Sequence, residues 1–252
     1  MGLKSNDDLR KFKLQYKPFG ERSILIEWPQ IISEKVFKSV LLYKQKLENY
    51  EFKQKVYINH AYNSILVSYN STINNIYDEI LTLKSIYSDG FNSKNNDSIL
   101  WKIPVCYDLE FGLDLEELSL KNNLEISKII ELHTNENYLV YFIGFLPGFL
   151  YLGGLNKQLN FPRKNTPRLH VKKGAVAIGG SQTGIYPNES PGGWNIIGNT
   201  PLDFFNVDNQ NPCFAKAGDK IQFVSVSRSI YFEILNQLEN NTYHIESEVI
   251  YD

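Results

Sequence analysis

Arg163 and Arg168 each follow a proline, in Pro162-Arg163 and Pro167-Arg168, inside a segment crowded with turn residues. A guanidinium carried on backbone stiffened in this way can grip a carboxylate or a phosphate through two parallel hydrogen bonds. The other reading of both arginines is loop bracing. Further along, Gln182, Thr183, Tyr186 and Ser190 lie in loops flanked by Gly180, Gly184 and Gly192. Their neutral donors and acceptors suit the orientation of an amide or a carboxylate. Backbone amides freed by such glycines, with Gly148 and Gly193 among the candidates, can gather into an anion-binding nest. The plainer alternative is that these glycines, prolines and tyrosines shape the rim of a barrel. Trp194 groups with Phe145, Phe149 and Tyr151 as packing or association aromatics, and it also stands among the substrate-contacting candidates.

These residues need a scaffold that supplies many short loops. Between Tyr138 and Pro201 lie eleven of the sixteen glycines, together with prolines 147, 162, 167, 187, 191 and 201. That density points to tight turns between short strands, here Tyr138 to Ile143, Ala175 to Ile178, Asn195 to Gly198, Lys220 to Val226 and Tyr231 to Leu235. Such a series favours a closed or nearly closed barrel, which removes exposed sheet edges. Ahead of it, Trp101 to Tyr107 reads as a strand, and helical patterns follow at Leu115 to Asn122 and Ser127 to Leu132. Asp114 with Glu117, and Glu125 with Ser127, are placed to satisfy free amides at the two helix starts.

The first ninety residues carry a different pattern. Phe12 to Tyr16 alternates, Ser23 to Glu27 is a short apolar run, and Ile32, Val36, Val40 and Leu47 share a helical face. Two strands, Val56 to His60 and Ser64 to Tyr69, and a second helix from Ile73 to Ile86 repeat the scheme. The expected plan is an α+β N-terminal domain over residues 1–91, a polar linker over 92–98, and a mainly β domain over 99–252.

Composition excludes several classes. With 252 residues, 42% hydrophobic, 21% charged and a net charge of -2, the chain reads as a soluble globular protein without a basic field for nucleic acid. Cys106 and Cys213 match no metal-ligand spacing and read as buried, reduced thiols, and the histidines show no metal grouping. There is no signal core and no apolar run long enough to span a membrane, so a cytoplasmic protein is expected. No Walker loop, nucleophile elbow or zinc pattern appears, so autonomous ATPase or hydrolase machinery is not expected.

Four blocks carry a resemblance: Gly144-Phe-Leu-Pro-Gly-Phe-Leu-Tyr-Leu-Gly-Gly-Leu155, Phe161-Pro-Arg-Lys-Asn-Thr-Pro-Arg168, Ala175 to Pro187, and Ser190-Pro-Gly-Gly-Trp-Asn-Ile-Ile-Gly198. In their order and spacing they resemble the signature blocks of the B-subunit family of 5-oxoprolinases, also called KipI-like or allophanate hydrolase subunit 1. Lys17 to Arg22, Ala61 to Val67 and Leu132-His133 resemble its weaker blocks, so nearly the whole chain is covered.

The resemblance implies a cyclophilin-like β-barrel in the second domain and one half of a carboxyltransferase-type site, completed by a second protein. It implies C-type and A-type 5-oxoprolinase subunits as partners, a small lactam substrate, and ATP-dependent opening of 5-oxoproline to glutamate. ATP, with Mg2+ on one of the partners, would act in the assembled complex, and the chain alone would be inactive. His133 matches a family histidine and is the candidate acid or base, against the plainer reading of a helix-end histidine that caps or packs, with Arg163 and Arg168 as catalytic candidates. Other members imply different roles, as an inhibitor that binds a sensor histidine kinase or as a subunit of an allophanate or urea-type amidohydrolase. Asn199 stands where the family usually has arginine, and Val171-Lys-Lys-Gly-Ala175 replaces a more usual Val-Pro-Ala-Gly-Ser. Lys172 or Lys173 is the available replacement cation.

Overall fold

In Ser23–Glu27 and Ser64–Tyr69 every second side chain is buried, the period that lays a strand flat on a core. The structure, a computed structural model, describes residues 12–89 and 97–250. The chain divides into two units, Met1–Asn96 and Asp97–Asp252. Of the linker expected at 92–98, residues 92–96 lie outside the described residues, and Ser98 is the buried first residue of a strand.

The first unit is a four-stranded antiparallel sheet made of β1 (Gln15–Pro18), β2 (Ser23–Glu27), β3 (Val56–His60) and β4 (Ser64–Tyr69), in the order β1-β2-β4-β3. Helices α1 (Glu34–Asn49) and α2 (Ile76–Ser88) pack together, and α1 lies on β3 and β4. Each helix starts at a side-chain cap: Ser33 accepts from the Val36 amide, and Asn75 from those of Tyr77 and Asp78. Ile24, Ile26, Val40, Leu47, Ile65, Val67 and Leu83 have no exposed surface and form the core between the layers. Full burial of such a side chain contributes about 1.5–3 kcal/mol.

The second unit contains β5 (Ser98–Val105), α3 (Leu115–Asn122), α4 (Ile126–Thr134), β6 (Asn137–Ile143), β7 (Leu150–Gly153), β8 (Arg168–Val171), β9 (Ala175–Gly179), β10 (Gln182–Ile185), β11 (Ser190–Gly192), β12 (Asn195–Asn199), β13 (Lys220–Ser225), α5 (Arg228–Glu239) and β14 (Ser247–Ile250). Eight of these strands form one sheet in the order β12-β9-β10-β7-β6-β13-β5-β14, and β8 with β11 forms a separate ribbon. Pairing is antiparallel except between β13 and β5.

The architecture is mixed α/β with large sheets, and the ladder does not close into a barrel. β14 occupies the outer edge of β5 from Ser98 to Trp101, so β12 meets it only past Val105. There Cys106 and Asn199 exchange two backbone hydrogen bonds of 2.9 and 3.0 Å. Tyr231 to Leu235, which reads as a strand in sequence, belongs instead to α5. Ser227 caps the Ile230 amide, while Tyr231 and Ile234, three residues apart, turn one face inward. Both cysteines are free, Cys106 buried and Cys213 half-buried.

Gly174 is where this unit tolerates no side chain. Its φ is +78°, and a Cβ there would lie 2.2 Å from the Thr200 carbonyl oxygen, which is backbone and cannot swing away. Gly174→Ala is expected to cost at least about 3 kcal/mol in urea unfolding. Gly193→Ala, whose Cβ would meet its nearest atom at 3.5 Å, is expected to be nearly silent. A loss below about 1 kcal/mol at Gly174 would show that the loop yields.

Candidate functional site

β9, β10 and β12 are buried on both faces, so their alternation sorts the site into two layers. Val176, Ile178, Ile185 and Ile197 enter the main core, whereas Ala175, Ala177, Ile196, Tyr186 and Trp194 join Phe149 in a second cluster. Trp194 lies directly on backbone: a Cβ at Gly179 would be 2.6 Å from its ring and one at Gly184 3.1 Å away. Those two glycines leave the space in which the indole sits. Phe149 stands edge-on to Trp194 and to Tyr186, with ring centroids 5.7 and 5.4 Å apart.

The segment bearing the first arginine is pinned across this layer. Phe161 and Gly180 exchange backbone hydrogen bonds of 3.0 and 2.7 Å. Asn195 Nδ2 donates to the Pro162 carbonyl at 2.9 Å, and the Lys164 amide donates to that of Gly193 at 2.7 Å. Arg163 sits between these anchors. Its side chain is exposed, and its guanidinium carbon lies 5.4 Å from the centre of the Trp194 ring. Burial raises the Tyr151 and Tyr186 hydroxyl pKa values, and the charge on Arg163 opposes the rise at both.

The second arginine is committed elsewhere. Arg168 Nη1 and Nη2 donate to Oδ2 and Oδ1 of Asp114 at 2.9 and 2.7 Å, a forked pair. Asp114 also accepts from Lys164 Nζ at 2.8 Å and from the Ile196 amide at 2.6 Å, and it is only 3% exposed. Lys164 reaches Glu117 as well, at 2.9 Å. Hydrogen bonds from Lys121 and Lys164 hold the Glu117 carboxyl down at about 2. Burial works against the charge on Lys164, but the bonds to Asp114 and Glu117 outweigh it and raise its pKa. The helix-capping role read for Asp114 is therefore not the one observed. Its side chain makes no cap bond and instead ties the start of α3 to β8 and β12.

His133 exposes none of its surface. Its Nδ1 lies 2.7 Å from the Tyr107 hydroxyl and its Nε2 2.9 Å from Oγ1 of Thr183. Because that hydroxyl donates to the Ala177 carbonyl at 3.1 Å, it must accept from Nε2–H, which leaves Nδ1 to accept from Tyr107. The ring stacks on Phe223 at 4.5 Å, and burial pushes its pKa down to about 3. His133 is thus a neutral strut joining α4, β10 and the end of β5. Of the two readings sequence gives this histidine, acid–base or packing, its depth matches the packing one.

The other predicted residues divide by layer. Thr183 is fully buried with His133, while Tyr186 and Trp194 are 2% and 5% exposed and act as packing. Gln182 and Ser190 are half-buried. Gly148, at φ +83°, lets the Leu146-Pro147 turn pass within 2.8 Å of the Phe204 carbonyl oxygen, measured from the Cβ it lacks. Beside it Phe145 holds φ +65° with 64% of its surface exposed, and its ring is edge-on to Phe149 at 5.6 Å. Gly179 and Gly184 seat the Trp194 ring and Gly192 the Tyr186 ring, a Cβ at Gly192 falling 2.3 Å from the Tyr186 hydroxyl oxygen. Asn199 is buried too: Nδ2 donates to the Lys173 carbonyl and Oδ1 accepts from Tyr231 at 2.7 Å, so it helps to fasten the sheet ends. Lys173 pairs with Asp203. Sequence reasoning missed Asp114 as a hub, Asn195 as an anchor and Tyr107 as a donor. The one available signal was an acidic residue ahead of α3 with three cations in the Pro162-Arg168 block.

Among the described residues no cluster has metal-binding composition, and no helix is long and apolar enough to cross a membrane. Residues 14–215 match the carboxyltransferase domain family, subdomain C and D. The chain is 35% identical to the B subunit of 5-oxoprolinase from Bacillus subtilis over 234 residues, 87% of this chain and 95% of that protein. It is 45% identical to the corresponding B subunit from Escherichia coli O157:H7 over 123 residues, 49% of this chain and 56% of that protein. In fold it is similar to the urea carboxylase of Kluyveromyces lactis, with a TM-score of 0.81 at 19% identity, covering 99% of this chain and 25% of that one.

Proposed function

The chain belongs to the carboxyltransferase domain family, subdomain C and D, and on that premise we propose that it is the B subunit of an ATP-dependent 5-oxoprolinase, contributing half of a shared site for opening 5-oxoproline to glutamate. The observation that carries this reading is the 35% identity to a 5-oxoprolinase B subunit, which extends over 95% of that protein's length. The partners are a C-type subunit, which supplies the other half, and an A-type subunit. The proposal includes a cyclophilin-like relationship of the second unit.

Opening the lactam adds water across the ring amide: the C–N bond breaks, the carbonyl carbon gains hydroxyl, and nitrogen gains the proton. An amide carbonyl is a poor electrophile, so activation or oxyanion stabilisation is required. The Pro162-Arg168 block does not fit a triphosphate. Of the three cations in Pro162-Arg168, Lys164 and Arg168 are neutralised by Asp114 and Glu117, which leaves one guanidinium. ATP is therefore assigned to the partners. What this half offers is Arg163 over Trp194.

The test is glutamate release and ADP formation, measured for each protein alone and for the reconstituted set. This chain is expected to be silent alone and active in the mixture. Activity from the isolated chain would defeat the shared-site reading. An inactive mixture in which the chain blocks autophosphorylation of a sensor histidine kinase would replace it with the inhibitor role.

A further inference from the structure

We propose that Arg163 is the residue that receives the carboxylate of the small acid bound at this site, and that Arg168 and Lys164, its neighbours in the same block, brace the scaffold and touch no ligand. The inference rests on the reading above only in naming 5-oxoproline as that acid. Three positive side chains lie between Pro162 and Arg168, and sequence gives no reason to separate them. Geometry does. Arg168 spends both terminal nitrogens on Asp114, and Lys164 bonds Asp114 and Glu117. Among the described residues no carboxylate pairs with Arg163, whose recorded contact is the Trp194 ring at 5.4 Å.

The guanidinium carbon lies 5.4 Å from the centre of the indole, and its N–H donors lie in its own plane, where two of them match the two oxygens of a carboxylate. The backbone on both sides is fixed by the bonds from Asn195 Nδ2 to Pro162, from Lys164 to Gly193, and between Phe161 and Gly180. Trp194 is itself seated on Gly179 and Gly184. The cation is thus preorganised by a chain of contacts from sheet backbone to indole to guanidinium, which lowers the ordering cost of binding. One free positive charge complements a monoanion such as a carboxylate. A di- or triphosphate would need further cations, and the other two of its block are already paired.

Binding is read on the full chain through the NMR signals of Arg163 Nε–H and Trp194 Nε1–H. 5-Oxoproline is titrated first, then 2-pyrrolidinone, the neutral lactam without the carboxylate, and then inorganic phosphate. The expected result is that 5-oxoproline shifts both signals and the neutral lactam shifts neither. Arg163→Lys should weaken binding at least about tenfold, because charge without the fork does not restore a two-point contact. Arg163→Gln should abolish it, and Arg168→Lys should keep affinity within about threefold while lowering stability. The proposal is overturned if the neutral lactam shifts both signals equally, if Arg163→Gln binds like wild type, if phosphate binds more tightly than the acid, or if no acid perturbs either signal at about 10 mM, ten times a millimolar Kd. Intact acid binding in a reconstituted complex that cannot open 5-oxoproline would defeat the functional reading and leave the subsite standing.

Discussion

Replacing Asp114 by alanine is expected to remove about 3–5 kcal/mol from the second unit, the cost of breaking a buried ion pair by deleting one partner. The effect exceeds that of an ordinary surface salt bridge because Asp114 is 3% exposed and serves four donors: two from Arg168, one from Lys164 and the Ile196 amide. Deletion leaves the amide unpaired in the interior and strips Arg168 of its counter-charge, while Lys164 keeps only Glu117. For a unit of this size the loss corresponds to a fall in Tm of roughly 10 °C. Asp114→Asn should fall between, since it can still accept from Ile196 but loses the charge that holds Arg168 and Lys164. Calorimetry and urea titration both read this. If Asp114→Ala stays within about 1 kcal/mol of wild type, the hub is ornamental and the bracing role given to Arg168 goes with it.

The second large effect is on the pH dependence of stability, through His133. Burial holds its pKa at about 3 in the folded chain against an ordinary 6.5. The unfolded chain therefore binds a proton that the folded chain refuses between those values, and stability rises with pH across that window. The contribution is complete above about pH 6.5 and falls by about 1.4 kcal/mol per unit as pH drops toward 3. At pH 5 the loss is about 2 kcal/mol. A proton on Nδ1 also sets two donors against each other, because the Tyr107 hydroxyl points its hydrogen at that nitrogen. His133→Gln, though less stable at pH 7.5 for want of the Tyr107 and Thr183 bonds, should show a flatter slope between pH 7 and 5. Urea midpoints at several pH values for both proteins isolate the histidine, because paired carboxylates such as Glu117 affect both alike. Equal slopes would mean that the proton reaches His133 without unfolding anything.

The sequence by itself determined the strand and helix content of the first unit. There β2 and β4 alternate cleanly, and α1 and α2 carry helical stripes beneath Ser33 and Asn75 caps. It also determined the family, because blocks such as Gly144 to Leu155 and Ser190 to Gly198 are long and ordered. Local periodicity and turn chemistry are properties of neighbours in the chain, so they are legible there. Legibility fails for β7 and β10, four residues each and carrying Gly153 and Gly184, too short to show a β run, and α5 reads as a strand because its apolar residues also fit one. Whether the sheet closed was likewise decided far away, by β14 taking the edge of β5.

The site shows the same division. Arg163, Lys164 and Arg168 are alike on paper. Their roles separate only because Asp114, 54 residues before Arg168, arrives from the start of α3 to neutralise two of the three. His133 and Thr183, 50 residues apart, meet inside the core, where desolvation fixes the imidazole as neutral. Composition and spacing give residue types with chemical potential. Burial and long-range partners, which exist only in the folded chain, decide which charge is spent on structure and which is left for a ligand.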